Sequence, residues 1–204
     1  MTAEPSQMRA DARENRARVL AVARELFAQR GLDVPMATIA RRAGVGVATL
    51  YRRFPTKEAL VVEAFTEQFA LCQAAIDEAL IDPDPWRGFC TVIEKVCVLQ
   101  ASDRGFTAAF VASFPDLHTE VRDRTWHGFA ALVQRAKDSG SLRADFSPHD
   151  LTLVLMANGG LASAPVEVAV AASQRLVAYL LEAFRSGTDQ LPPAVPLSLD
   201  LVLR

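Results

Sequence analysis

The 204-residue sequence predicts an all-α fold: a small N-terminal three-helix unit followed by a larger C-terminal helical domain. Three observations carry this prediction. Apolar residues recur at helical spacing through nearly every segment, and no run alternates as a half-buried strand would. Gly31, Gly44, Pro55, Pro115, Gly140 and Pro148 punctuate the periodic runs. The first three segments are short and separated by turns of three or four residues, the skeleton of a helix-turn-helix.

In the run NRARVLAVARELFAQRG, Val19, Ala23, Leu26 and Phe27 follow i, i+4, i+7, i+8, and Gly31 supplies a stop for the first helix. Pro35 is tolerated at the start of the second, where Met36, Ile39, Ala40 and Ala43 repeat the spacing before Gly44 ends it. A third short helix begins near Gly46 or Val47 and ends near Phe54, because Pro55 disfavours helical geometry in the residue before it. Thr56 is placed to cap a fourth helix whose first residue is Lys57. Helical periodicity then runs on to about Leu80, where DPDP breaks it. Further helices are expected over residues 86–101, 105–113, 117–139, 148–161 and 165–186.

With 50% hydrophobic content the chain can bury a substantial core. Its three cysteines, Cys72, Cys90 and Cys97, are odd in number and lack zinc-ligand spacing, so neither a disulfide framework nor a metal site is expected. The N-terminus carries charges throughout, and no apolar run of about 18 residues follows. A cytoplasmic protein with no membrane partner is the expectation. The net charge of −2 hides an asymmetry, since residues 1–60 carry +5 and residues 61–204 carry −7. A basic head on an acidic body suits a polyanion bound at one end only.

The third helix sharpens that point. Counting 100° per residue, Val47, Leu50 and Phe54 share the packing side, Ala48, Thr49 and Arg52 point the other way, and Tyr51 and Arg53 flank them. Small residues at the helix start allow close approach to a groove floor, and Arg52 or Arg53 can fork to a guanine edge or a phosphate. Tyr51 offers a hydroxyl to phosphate and a ring to a thymine methyl. At Lys57, free backbone N–H groups, the helix dipole and an ammonium would meet one phosphate.

The stretch IARRAGVGVATLYRRFPTKEAL, Ile39 to Leu60, resembles the second, third and early fourth helices of the TetR family of bacterial transcriptional regulators, and ELFAQRG resembles the end of that family's first helix. The similarity covers roughly the first 65 residues. One departure is Gly46, where many members open the recognition helix with serine; glycine caps nearly as well but has no hydroxyl for phosphate. The resemblance implies a sequence-specific DNA-binding head with Thr38, Gly46, Val47, Ala48, Thr49, Tyr51, Arg52, Arg53 and Lys57 at the DNA. It also implies a C-terminal ligand-binding and dimerisation domain. The expected organisation is a flexible arm over residues 1–12, the helix-turn-helix domain over 13–58, the ligand-binding and dimerisation domain over 59–187, and a Pro-containing tail over 188–204.

A pocket for a small, largely apolar effector is implied between the central helices, with Phe69, Phe89, Ile93, Phe110, Phe114, Trp126, His127 and Met156 as candidate lining residues. For any one of these residues the favoured reading is plain core, with His127 a satisfied histidine. The last two helices are rich in small and aliphatic residues on more than one face, which suits contact with a second copy. Leu153, Met156, Ala157, Leu161, Val170, Leu176, Tyr179 and Leu180 are the candidate dimer contacts, and a two-fold dimer implies a near-palindromic double-stranded operator. The Pro-broken but apolar tail is expected to lie extended across the body or the partner.

The resulting expectation is a homodimeric repressor released from its operator by a small molecule, needing no cofactor. The alternatives are a nucleoid-type protein binding DNA without sequence preference, or an enzyme with a dispersed site. His118, His127 and His149 stand apart without HExxH, GxSxG, phosphate-loop or dinucleotide patterns. His127 with Ser113 or Asp123 is the nearest approach to a catalytic set, so no enzyme activity is expected.

Overall fold

The computed structural model describes residues 5–103, 105–106, 119–185, 187, 191–195 and 197, with side chains described from residue 13 onward except at 119–123 and 162–163. The residues fall into two compact units, Met1–Thr66 with Arg104–Ala109, and Glu67–Asp103 with Phe110–Arg204. The first holds α1 (Pro5–Arg30), α2 (Met36–Arg42), α3 (Val47–Arg53) and α4 (Lys57–Ala64). The second holds α5 (Thr66–Ile81, its first residue at the boundary), α6 (Pro85–Ser102), α7 (Thr119–Asp138), α8 (Asp150–Gly159) and α9 (Val166–Phe184), with a 3-10 turn at Gly160–Ser163. Among the described residues the only β pairing is a single bridge between Leu142 and Arg185.

In the first unit the predicted stripe Val19, Ala23, Leu26 and Phe27 is buried, as are Ile39, Ala40, Leu50, Phe54 and Leu60. Two sequence expectations change here. Helix α1 begins at Pro5, so most of the expected arm is helical; the run from Gln7 to Arg18 has no internal glycine or proline to stop it. The apolar periodicity from residue 58 to 80 is also not one helix. Phe65 leaves helical geometry (φ −113°, ψ 15°) and is fully buried with its ring centroid 6.3 Å from Phe27 and 6.2 Å from Phe106. Tertiary burial of this ring overrides a local pattern that continues across it. Leu60, Val61 and Ala64 are buried too, and α4 therefore belongs with the first unit.

The second unit is organised around Phe89, whose ring lies 5.7 Å from Trp86, 6.3 Å from Phe129 and 5.4 Å, edge on, from Phe146. Neighbouring Gly88 lets α6 approach α5 closely: a Cβ there would stand 2.8 Å from the Ala79 carbonyl oxygen. Asn158, although it lies in an apolar run, is buried and donates to the Cys97 carbonyl (3.0 Å) and to Gln100 Oε1 (2.7 Å), while Gln100 donates to the Leu155 carbonyl (3.0 Å). These bonds join α8 to α6.

The end of α5 is closed from α7. Arg135 donates to the carbonyls of Ala79 (3.1 Å), Leu80 and Asp82 (2.9 Å) at the helix end, where the Ala79 carbonyl also accepts from the Asp82 N–H (3.3 Å). Arg135→Met should lower unfolding stability by about 2 kcal/mol, because charge-assisted bonds to part-buried carbonyls are lost together. Urea titration followed by far-ultraviolet circular dichroism measures this; an unchanged midpoint would show that water replaces the guanidinium at no cost.

The described tail residues are tied to the second unit. The Leu191 N–H donates to Asp145 Oδ2 (2.9 Å), and Thr152 donates to the Leu197 carbonyl (3.5 Å). Asp145 is also gripped by Arg143 through both carboxylate oxygens (2.5 and 3.0 Å), which holds its carboxyl well below the usual range. A depressed carboxylate supports the fold above its unfolded pKa of about 4 and loses that contribution as pH falls through the folded value. At neutral pH the contact is therefore at full strength. Asp145→Ala should speed proteolytic cleavage near Leu191 while the rest of the chain resists; equal cleavage rates would mean the tail is held by other contacts.

Candidate nucleic-acid interface

The turn between α2 and α3 follows from Gly44. At φ +67° it adopts the left-handed conformation, allowing its N–H to bond the Arg41 carbonyl (3.2 Å) and the Val45 N–H to reach the Ala40 carbonyl (3.0 Å). This reciprocal pair is a Schellman closure, and it turns the chain within two residues. Gly46 then stands as N-cap of α3 in extended geometry, with its carbonyl accepting from the Leu50 N–H (3.0 Å).

Helix α3 is held by Leu50 and, just past its end, Phe54, each 1% exposed. Ala48, Thr49, Arg52 and Arg53 are exposed, as their spacing predicts. Val47 departs from the predicted packing side: it is 42% exposed and joins Tyr51, at 47%, on the open surface. A first-turn residue projects beyond the short stretch where α3 meets its neighbours. Asn15, Arg16, Thr49, Arg52 and Arg53 rim a cleft of about 300 Å³ floored by Val19, Val45, Leu50 and Phe54. Thr56 caps α4 as predicted, accepting from the Ala59 N–H (3.1 Å), and Lys57, half-buried, opens that helix. Thr38 is half-buried on α2, its N–H donating to the Pro35 carbonyl (2.9 Å).

Part of the head's positive charge, although exposed, is engaged by the protein itself. Arg16 pairs with Glu63, Arg42 with Glu25 (2.5 Å), and Arg18 donates to the Ala43 carbonyl (2.9 Å). These partners lie far apart in sequence, and a net-charge count cannot register them. The exposed Arg52 and Arg53 are the guanidinium groups that α3 itself carries to the surface.

Among the described residues the candidate effector residues differ in exposure. Phe89 and Ile93 are fully buried in the aromatic core, Phe69 is half-buried, and His127 and Met156 are exposed. Trp126 is half-buried, its ring 5.3 Å from that of His149. Phe110 and Phe114 lie outside the described residues. Of the candidate dimer contacts, Leu153 (48%), Met156 (40%) and Tyr179 (60%) are exposed, and so is Ala157; Leu161, Val170, Leu176 and Leu180 are half-buried. Arg175 donates to the Tyr179 hydroxyl (2.6 Å) and lies over its ring. Val166 and Val168, more than half exposed at the start of α9, are further exposed apolar residues that periodicity does not single out. Their i, i+2 spacing straddles the helical repeat.

Burial pushes the Cys72 and Cys97 thiols up to about 12 and Cys90 to about 11, keeping them protonated at neutral pH. Among the described residues no group of three or more His, Cys, Asp or Glu side chains is placed to hold a metal. No single described helix is long and apolar enough to cross a membrane.

A short glycine turn presenting an exposed, arginine-bearing helix defines a helix-turn-helix head of the DNA-binding class. Comparison with known proteins agrees: the family model for bacterial regulatory proteins of the tetR family matches residues 19–64. An HTH-type transcriptional regulator of Staphylococcus aureus is 44% identical over 54 residues, which is 26% of this chain and 29% of that relative's length. The crystal structure of a TetR transcriptional regulator from Streptomyces coelicolor is similar over 83% of this chain and 98% of that one, at 28% identity and a TM-score of 0.54. A TetR family regulator from Thermus thermophilus shares the fold over 85% and 96% of the two chains, at 20% identity and a TM-score of 0.62. The chain belongs to the TetR family of bacterial transcriptional regulators.

Proposed function

We propose that this chain is a sequence-specific transcriptional repressor that binds a near-palindromic double-stranded operator as a homodimer and leaves it when a small, largely apolar effector binds the second helical unit. The observation that carries the reading is the exposed face of α3, where Ala48, Thr49, Tyr51, Arg52 and Arg53 stand clear of a core closed by Leu50 and Phe54. Such a face offers bidentate donors for guanine edges and methyl-sized contacts for thymine. Val47 and Gly46 bring the helix start close to the groove, Thr38 approaches from α2, and Lys57 with the α4 N-terminus meets a flanking phosphate.

The exposed residues Leu153, Met156, Ala157 and Tyr179, with Leu161, Val170, Leu176 and Leu180 beside them, form an apolar surface suited to a second copy. Effector and operator are then linked: a ligand that favours a head spacing unsuited to DNA weakens operator binding by the same factor that DNA weakens ligand binding. Among solved structures sharing this fold, one Bacillus subtilis regulator is in complex with stearoyl-CoA and one Saccharomonospora viridis regulator with choline. Their identities of 18% and 22% leave the effector of this chain to its own chemistry.

The test is selection of bound duplexes from a random-sequence pool, repeated at two salt concentrations. Enrichment of a two-fold symmetric site supports the dimeric regulator and supplies the operator for effector screening. Salt-sensitive retention of bulk DNA without enrichment would favour the nucleoid-type alternative.

A further inference from the structure

We propose that Arg18, on α1, is a positioning residue for the recognition helix: it completes the C-terminus of α2 from outside and thereby fixes the turn from which α3 departs. The inference rests on the DNA-binding reading above. A helix ends with four carbonyls that its own N–H groups do not reach. In α2 the Gly44 closure uses those of Arg41 and Ala40. The Ala43 carbonyl is taken by Arg18 Nε at 2.9 Å in a part-buried bond spanning 25 positions of sequence. The guanidinium is itself oriented, since its Nη2 donates to Asn15 Oδ1 one turn earlier on α1.

Only Gly44, Val45 and Gly46 separate Ala43 from the first residue of α3. Two of these three are glycines, which restrain the backbone least. Holding the Ala43 carbonyl therefore removes freedom at the one place where the direction of α3 is set. Arg16 and Arg42 also tie α1 to its neighbours, but through exposed carboxylates, where ion pairs contribute little. Arg18 differs by ending on backbone at the hinge itself.

A rival role for the same side chain is direct contact with a DNA phosphate. The two roles differ in what they do to salt dependence and to sequence discrimination. A phosphate contact weakens binding to every duplex alike, and its loss lowers the salt slope by about 0.9 per contact, counted twice in a dimer. A positioning residue leaves the number of phosphates unchanged and weakens the matched duplex selectively.

The experiment measures binding of the full chain to the selected operator and to a scrambled duplex across a salt series, with thermal melting in parallel. Arg18→Met should lose about tenfold or more in operator affinity, keep affinity for the scrambled duplex within about twofold, and keep the salt slope. Asn15→Ala, at an exposed position, should show the same pattern with a smaller loss. It carries the test alone if Arg18→Met fails to fold. Equal losses on both duplexes with a reduced slope would overturn the positioning role in favour of phosphate contact. Operator affinity unchanged in both folded variants, or in Asn15→Ala alone if Arg18→Met does not fold, would overturn it outright. A wild-type chain that prefers no duplex overturns the regulator reading, and with it the role built on that reading.

Discussion

Phe89→Ala should destabilise the second unit by about 3–5 kcal/mol, the range for truncating a fully buried aromatic ring. The ring is 0% exposed and lies beside three further aromatic rings, so its removal takes contacts from all three at once. The space cannot readily collapse, because the adjoining α5–α6 crossing is already at backbone contact where Gly88 faces Ala79. Against a total stability of roughly 5–15 kcal/mol for a typical domain, such a loss brings the unit near its folding threshold. Urea unfolding monitored by circular dichroism measures the loss. The result also separates two readings of the residue. A ring lining an open effector pocket has fewer atoms packed against it, and its truncation would cost less than about 1 kcal/mol; that outcome would return Phe89 to the pocket.

The head was legible in the sequence because its signals are local. Gly44 is needed for one left-handed residue, Pro55 ends α3, and Thr56 caps α4 through an oxygen three residues from its donor. Where the outcome depends on distant partners, periodicity misleads. Phe65 continues an unbroken helical pattern, yet its burial with Phe27 and Phe106 breaks the helix there. Val47 shares an angular face with Leu50 but lies beyond the packed stretch. The basic excess of the first 60 residues counts Arg16, Arg18 and Arg42 as available, whereas each is engaged by a partner at least 17 positions away. The aromatic residues of the second unit show the same limit. Composition names Phe89, Ile93 and Trp126 as apolar, but whether a ring faces a space or a neighbour is decided by helices that meet only in the folded chain.

Arg52→Ala combined with Lys57→Ala should reduce operator affinity about 100-fold at moderate salt, with no change in helix content. Arg52 is exposed on α3, and Lys57 at the N-terminus of α4 is only half-buried, so neither truncation empties a packed core. Surface changes of this kind normally alter stability by no more than about 0.5 kcal/mol. The loss should divide by mechanism. If Arg52 forks to a guanine edge, its removal relaxes selection at one symmetric pair of base positions while leaving the salt slope nearly intact. If Lys57 meets a phosphate over free backbone N–H groups, its removal weakens all duplexes alike and lowers the slope by about 0.9 per contact, counted twice in a dimer. Repeating the selection with each single variant reads the first effect, and binding isotherms across a salt series read the second. Unchanged affinity in both variants would move the interface away from α3 and the α4 N-terminus. Other exposed arginines of the head, among them Arg13 and Arg30 on α1 and Arg41 on α2, would then have to carry it.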